Sequence, residues 1–224
     1  MLATRRLYAT INTGKGTVIL VGQYSSPFVR RVAVSLRVLG FEYQHDTHSV
    51  FRDFDSMRQI NPVGRIPSLV LDDGEVLIDS AAILDWLDET VGPARALLPR
   101  AGPERRRALR LIALATGVID KAVSSIYERA VRPASRRWPE WVTRCRTQAA
   151  GALAVLAREP WPADARLSQP EITTACMLRY AQMVDPELLS PGRYPTLEAL
   201  STRCEARPEF RATFAPDAVY LRGD

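Results

Sequence analysis

The sequence is poor in the residues that most often carry metal or triad chemistry. Its 224 residues include only two histidines, His45 and His48, and three cysteines that form no CxxC pair: Cys145, Cys176 and Cys204. We therefore predict no zinc site and no disulfide framework, and a Ser-His-Asp triad would have to use one of those two histidines. We expect the cysteines to be buried free thiols, as in proteins of a reducing compartment such as the cytoplasm.

Long apolar runs and lysines are scarce as well. No window reaches 18 uninterrupted apolar residues, so we predict no membrane span. Lys15 and Lys121 are the only lysines among 30 basic residues. The densest run of positive charge is Arg105–Arg107. It lacks the interleaved aromatic residues or the binding motif typical of nucleic-acid-binding proteins, so we do not predict nucleic-acid binding. Residues 101–224 carry 19 basic and 14 acidic residues, which accounts for the whole net charge of +5. This asymmetry indicates two different halves.

Short strand and helix patterns alternate in the first half. The apolar run Thr17–Val21 predicts a buried strand, and Asp72-Asp73-Gly74 between two apolar runs predicts a hairpin. The other predicted elements are a helix from Pro27 to Gly40, a strand at Phe41–His45, a helix at Arg52–Ile60 and a helix that begins near Ser80. We predict an α/β domain at residues 17–92, preceded by a flexible leader at residues 1–16.

Strand patterns almost vanish in the second half. The segment from Gly92 to Pro103 is rich in Pro and Gly and is typical of a linker. Beyond it, apolar residues recur at helical spacing, and Ser168 with Glu171 forms a capping-box pattern at the start of one helix. The sequence predicts an all-helical domain at residues 104–224, with its last helices near Leu197–Cys204 and Pro208–Phe214.

Three places in the first half could hold a ligand, and each also has a purely structural explanation. Ser25 and Ser26 precede a helix whose N-terminus favours an anion, although Ser26 could be only an N-cap. Pro67 opens a strand, which is compatible with a cis peptide bond or with a trans proline on an edge strand. Asp79 and Ser80 begin a helix and could either cap it or bind a group that carries a carboxylate and an ammonium.

The combination of these motifs resembles the cytosolic glutathione transferases over nearly the whole chain. The resemblance depends most on the stretch INPVGRIPSLVLDDGEVLIDSAAILDWLDE, and RYPTLEAL followed by RPEF is similar to the family's C-terminal helices. It implies a thioredoxin-like N-terminal domain that binds glutathione and an all-α C-terminal domain. The helix around Val118–Tyr127 would contribute to a pocket for a small hydrophobic electrophile.

The resemblance also implies roles for individual residues. Ser26 would be the catalytic serine, with Ser25 as its rival, because some members place the active hydroxyl one residue earlier. Ile66, before Pro67, would pair through its backbone with the cysteinyl part of glutathione, and Arg65 would contact the glycyl carboxylate. Asp79 and Ser80 would hold the γ-glutamyl end.

The function implied is a detoxifying glutathione transferase that forms a homodimer and uses neither a metal nor a redox cofactor. No cysteine lies near Ser26, which speaks against the branches that use a catalytic cysteine. Two alternatives stay open: a glutathione-dependent isomerase, whose usual Ser-Ser-Cys motif is Ser25-Ser26-Pro27 here, and a partner-binding module without turnover.

Overall fold

The computed structural model describes residues 18–163 and 166–214, so the leader predicted at residues 1–16 lies outside the described chain. The chain divides into two compact units between Leu97 and Leu98. The elements of the first unit, in chain order, are β1 (Val18–Val21), α1 (Pro27–Leu39), β2 (Tyr43–Asp46), α2 (Phe54–Ile60), β3 (Ser68–Val70), β4 (Val76–Ile78) and α3 (Ser80–Val91). This is the predicted order of strands and helices.

The four strands form one mixed sheet in the order β2-β1-β3-β4. β1 pairs in parallel with β2 across the α1 crossover, and the β1–β3 and β3–β4 pairs are antiparallel. Side chains on one face of the sheet pack with α2 in a core that includes Ile19, Val21 and Met57. Leu20 and Leu69 alternate to the other face and are fully buried. The predicted thioredoxin-like fold of the N-terminal domain is confirmed.

The second strand begins later than the predicted Phe41, and the end of α1 explains why. Gly40 adopts a left-handed conformation (φ 78°), and its N–H donates to the carbonyls at the end of the helix. The N–H of Phe41 donates to the Leu36 carbonyl at 2.9 Å, which completes a Schellman motif. Since that amide serves the helix end, it is not available to a strand ladder, and β2 starts at Tyr43.

One other predicted boundary moves for a local reason, while the hairpin turns where the sequence predicts. The helix predicted from Arg52 starts at Phe54, because residues 49–53 close a turn in which the Asp53 N–H donates to the Ser49 carbonyl at 3.0 Å. The hairpin turns at Asp72-Asp73-Gly74 as predicted: the Leu71 N–H donates to the Glu75 carbonyl at 2.8 Å, and β3 and β4 are short strands on either side.

The described part of the second unit is mostly helical, as predicted. Its α-helices are α4 (Gly102–Ile126), α5 (Pro139–Leu156), α6 (Gln169–Val184), α7 (Pro195–Glu205) and α8 (Pro208–Arg211), with a π-helical segment at Tyr127–Val131 and 3₁₀ turns at Ala134–Arg136 and Pro186–Leu189. The last helix ends at Arg211, three residues before the predicted Phe214. In the described ranges no helix is long and apolar enough to cross a membrane.

The capping box and the cysteines of this unit agree with the sequence predictions. The Ser168 N–H donates to the Glu171 carboxylate at 2.9 Å, so the side chain of the capping box reaches back to the N-cap. Cys145, Cys176 and Cys204 are buried and form no disulfide bond, as the sequence predicts.

Candidate functional site

The N-terminus of α1 presents the first predicted site residue. Ser26 is the N-cap of this helix and has an extended backbone, and its Oγ accepts a long hydrogen bond of 3.4 Å from the Val29 N–H. Pro27 occupies the first helical position, where its missing N–H costs nothing. The cap bond is weak at this length, so the half-buried hydroxyl can exchange it for a ligand.

Ser25 lies in a different environment from Ser26. Its exposed fraction is only 8%, whereas the Ser26 side chain is half-buried and sits at the cap itself. Nearby, Tyr24 stacks on the His45 ring, and its hydroxyl lies 2.8 Å from that of Tyr43. Burial, together with this hydrogen bond, raises the pKa of Tyr24, so its hydroxyl stays neutral at physiological pH. The exposure of the two serines favours Ser26 as the hydroxyl that a ligand can reach.

A loop fixed by Asn61 leads into the second predicted place. Asn61 is buried, its side-chain amide donates to the Arg65 carbonyl at 2.8 Å, and its side-chain oxygen accepts from the Val63 N–H at 3.0 Å. The Ile66–Pro67 peptide bond is cis, and β3 lies between β1 and β4. The alternative of a trans proline on an edge strand is therefore wrong.

Gly22, at the end of β1, allows the Ile66 segment to approach the first helix closely. Its φ is +126°, and a Cβ at this position would lie 2.7 Å from Val29 Cγ2 and 2.8 Å from Ile66 Cβ. Only glycine fits such a backbone conformation at this distance. The close approach packs the Ile66 side chain against the strand-to-helix turn that carries Ser26.

Asp79 is the N-cap of α3 and has an unusual backbone. Its φ of 69° with ψ of 136° lies outside the regions that non-glycine residues favour, and its carboxylate accepts from the Ala81 N–H at 2.8 Å. A strained residue of this kind persists only where the surrounding structure holds it, and such residues cluster at ligand sites. The side chain is exposed, so its carboxylate can cap the helix and also meet a cationic group.

Ser80 is held by a residue that the sequence pattern did not single out. Its hydroxyl oxygen accepts from Arg31 Nε at 3.1 Å and from Arg31 Nη2 at 2.7 Å, and both residues are at least 97% buried. With two donors on its oxygen, the Ser80 hydroxyl donates in turn, and here it makes a long hydrogen bond of 3.5 Å to the Asp79 carboxylate. Arg31 thereby ties α1 to the start of α3. Arg31 lies off the apolar face of the helix pattern, and the sequence gave no signal of this contact, because the partner lies 49 residues later.

An open cleft in the first unit brings most of the predicted binding residues together. Arg65, Ile66, Pro67, Asp79 and Ser80 all line it. Phe28, two residues after Ser26, lines it as well, whereas Ser25 and Ser26 are not among its lining residues. The cleft thus combines an exposed guanidinium, an exposed carboxylate and a hydroxyl donor at a helix N-terminus. Such a set suits an extended zwitterionic ligand that has carboxylates and an ammonium. Among the described residues, no group of three or more His, Cys, Asp or Glu could hold a metal ion.

The fold and the cleft define a class of proteins: a thioredoxin-like domain with a polar cleft, followed by a helical domain. A family model for the N-terminal domain of glutathione S-transferases matches residues 20–95. The GST-like protein YibF of Escherichia coli is 31% identical over 207 residues, which cover 89% of this chain and 99% of that protein. The chain belongs to the glutathione S-transferase family.

Two further relatives bear on function. A glutathione transferase family member from Pseudomonas fluorescens Pf-5, solved with bound glutathione, is 35% identical; the match covers 89% of this chain and 99% of that one, with a TM-score of 0.78. The maleylacetoacetate isomerase of Pseudomonas aeruginosa is 34% identical over 120 residues, which are 51% of this chain and 54% of the isomerase.

Proposed function

We propose that this protein is a glutathione transferase that activates the thiol of glutathione for attack on a small hydrophobic electrophile. The observation that supports it most is the cleft that joins Arg65, Ile66, Pro67, Asp79 and Ser80 beside the N-terminus of α1. The glutathione bound to the relative from Pseudomonas fluorescens agrees with this ligand.

In this proposal, Ser26 stabilises the thiolate. A free thiol has a pKa of about 8.5, so only a few per cent of it is ionised at neutral pH. A hydroxyl donor combined with the N-terminal amides of α1 favours the anion, and lowering the thiol pKa by about two units corresponds to roughly 2.7 kcal/mol. The thiolate then forms a bond to the electrophilic carbon, and the leaving group departs with the electron pair of the bond that breaks.

The remaining cleft residues would hold the peptide. Asp79 would pair with the γ-glutamyl ammonium, while the Ser80 hydroxyl, with Arg31 on its oxygen, would donate to the γ-glutamyl carboxylate. Arg65 would meet the glycyl carboxylate, and the backbone of Ile66 before Pro67 would pair with the cysteinyl unit. These contacts do not involve the sulfur, so binding and thiol activation are separable.

That separation gives the test. Ser26→Ala should lower kcat with an activated aryl chloride by at least tenfold and leave glutathione affinity within a few-fold, because the hydroxyl contacts only the sulfur. Ser25→Ala is the matched control and should keep wild-type turnover. The reverse pattern would move the catalytic role to Ser25. Failure of the wild-type protein to bind immobilised glutathione would overturn the proposed function.

A glutathione-dependent isomerase is the second candidate. The isomerase of Pseudomonas aeruginosa supports it, although Pro27 stands where the usual motif has cysteine. Conversion of maleylacetoacetate, measured against chloride release from an aryl chloride, distinguishes the two activities. Glutathione binding without either turnover would instead favour a partner-binding module.

We also propose that the protein acts in the cytoplasm as a homodimer. Phe51, Phe54 and Val63 in the first unit are 55%, 47% and 63% exposed, and apolar exposure of this kind favours association. The acidic residues of α3 and the arginines near the start of α4 could set its register, though exposed charge pairs contribute little each. Light scattering at low micromolar concentration should give about twice 25.0 kDa, and Val63→Asp should shift the protein towards monomer.

A further inference from the structure

The helical unit contains a pocket of its own, formed near the end of α4. It is an open depression with a volume of about 430 Å³. The lining residues are Ser124, Tyr127, Glu128, Val131, Arg132 and Trp141. We call this the helical-unit pocket. None of its residues belongs to the cleft in the first unit.

A change of helix type shapes the pocket. α4 passes into a π-helical segment at Tyr127–Val131, closed by the Arg132 N–H donating to the Tyr127 carbonyl at 3.0 Å. π-helical turns are rare and occur often at functional sites. Here the turn accompanies two exposed apolar side chains, Tyr127 at 42% and Val131 at 56%, beside the half-buried Trp141. The pocket therefore offers aromatic and aliphatic surface to a ligand.

A buried carboxylate fixes the one cation in the lining. Glu128 is 6% exposed, and both of its oxygens are used: Oε2 accepts from Arg132 Nε at 2.8 Å, and Oε1 accepts from the Trp138 N–H at 2.7 Å. The Arg132 side chain is 52% exposed, and within the described ranges neither of its Nη atoms makes a hydrogen bond. Glu128 thus orients the guanidinium while leaving the two Nη groups for a planar anion.

The surrounding charge favours an anion as well. Between residues 121 and 144 the chain carries more basic than acidic residues, and one of those acids is the engaged Glu128. A carboxylate matches the paired N–H groups of a guanidinium in geometry, and an aromatic ring suits the surface of Tyr127 and Trp141. We propose that the helical-unit pocket binds an aromatic carboxylate, with its ring against Tyr127 and Trp141 and its carboxylate on the Nη groups of Arg132.

The binding proposal concerns the helical unit alone, whereas the transfer reaction belongs to the proposed function. With 4-chloro-3,5-dinitrobenzoate, glutathione thiolate forms the C–S bond at the chlorine-bearing carbon, and chloride leaves with the electron pair of the C–Cl bond. Binding of an unreactive aromatic carboxylate does not depend on this step and can be measured alone.

Calorimetry on the full chain without glutathione tests the binding. We expect 3,5-dinitrobenzoate to bind at least tenfold more tightly than the uncharged 3,5-dinitrobenzamide, because only the acid can pair with Arg132. Arg132→Gln should abolish this preference. Arg136→Gln, which removes a nearby exposed arginine outside the lining, should preserve it. Equal affinities in the wild-type protein, or a preference that survives Arg132→Gln, would overturn the proposal.

Arg132→Gln removes one hydrogen-bond partner of the buried Glu128 and could prevent folding. A second variant therefore tests the same location. Trp141→Ala should remove aromatic surface against which the ring is placed and weaken both probes at least tenfold, and unchanged binding would contradict the proposed location. Turnover measurements distinguish this inference from the proposed function. If neither 1-chloro-2,4-dinitrobenzene nor 4-chloro-3,5-dinitrobenzoate is a substrate, the transferase proposal is wrong. Binding of 3,5-dinitrobenzoate in the same protein would still support the helical-unit pocket.

Discussion

Ser80→Ala should destabilise the protein even without any ligand, because the Ser80 hydroxyl accepts two hydrogen bonds from a buried guanidinium. Its Oγ accepts two N–H groups from the Arg31 guanidinium, at 3.1 and 2.7 Å, and Arg31 is only 3% exposed. Hydrogen bonds to charged groups contribute about 1.5–3 kcal/mol, and a buried donor left without a partner costs its desolvation. We therefore expect a loss of about 2–3 kcal/mol in the free energy of unfolding.

Ser68 provides a matched control in the same sheet-containing unit. It is also fully buried, but its Oγ has no hydrogen-bond partner among the described residues. Removing an unsatisfied hydroxyl removes a cost, so Ser68→Ala should be neutral or should stabilise the protein by up to about 1 kcal/mol. The two substitutions delete the same atom at similar burial, and their difference isolates the contact with Arg31.

Urea unfolding followed by circular dichroism measures both variants, with unchanged m-values as the check that the unfolded state is comparable. A double-mutant cycle with Arg31→Met should give a coupling energy of about 2 kcal/mol between residues 31 and 80. If Ser80→Ala and Ser68→Ala change stability equally within about 0.5 kcal/mol, the argument that Ser80 satisfies Arg31 is refuted.

Three further predictions concern single residues. Asp79→Gly should be about 1 kcal/mol more stable than Asp79→Ala in urea unfolding. Both variants lose the cap to Ala81, but only glycine adopts a φ of 69° without strain. Equal free energies of unfolding would contradict the claim that the Asp79 backbone is strained. Burial raises the pKa of Cys204 from 9.0 to about 12, so the native state keeps a proton that the unfolded chain releases above pH 9. The free energy of unfolding should therefore fall between about pH 9 and 12. In Cys204→Ala this fall should be less steep. Asp185→Asn should cost about 3 kcal/mol in the same assay, since buried Asp185 accepts two bonds from Arg146 at 2.8 and 2.7 Å; a loss below about 1 kcal/mol would show that Arg146 finds another acceptor.

Features that depend on residues close together in the chain were predictable from the sequence. Ser26 and Pro27 begin α1, Asp72-Asp73-Gly74 turns the hairpin, and the Glu171 side chain reaches back to its N-cap. Each is a short-range interaction whose geometry follows from a few backbone dihedral angles and one side chain. For the same reason the order of strands and helices in the first unit, and the helical character of the second, follow from the sequence alone.

Interactions between distant residues were decided only by the tertiary structure. The periodicity of α1 marks an apolar face but does not show that Arg31 is buried, or that Ser80, 49 residues later, accepts its N–H groups. Glu128 pairs with Arg132 four residues later, a spacing that the sequence shows, but its second oxygen accepts from the Trp138 N–H ten residues away, beyond a π-helical turn that the sequence pattern did not indicate. A buried charged group is stable only where hydrogen-bond partners satisfy it. When such a partner lies far away in the sequence, only the tertiary structure determines which residue it is.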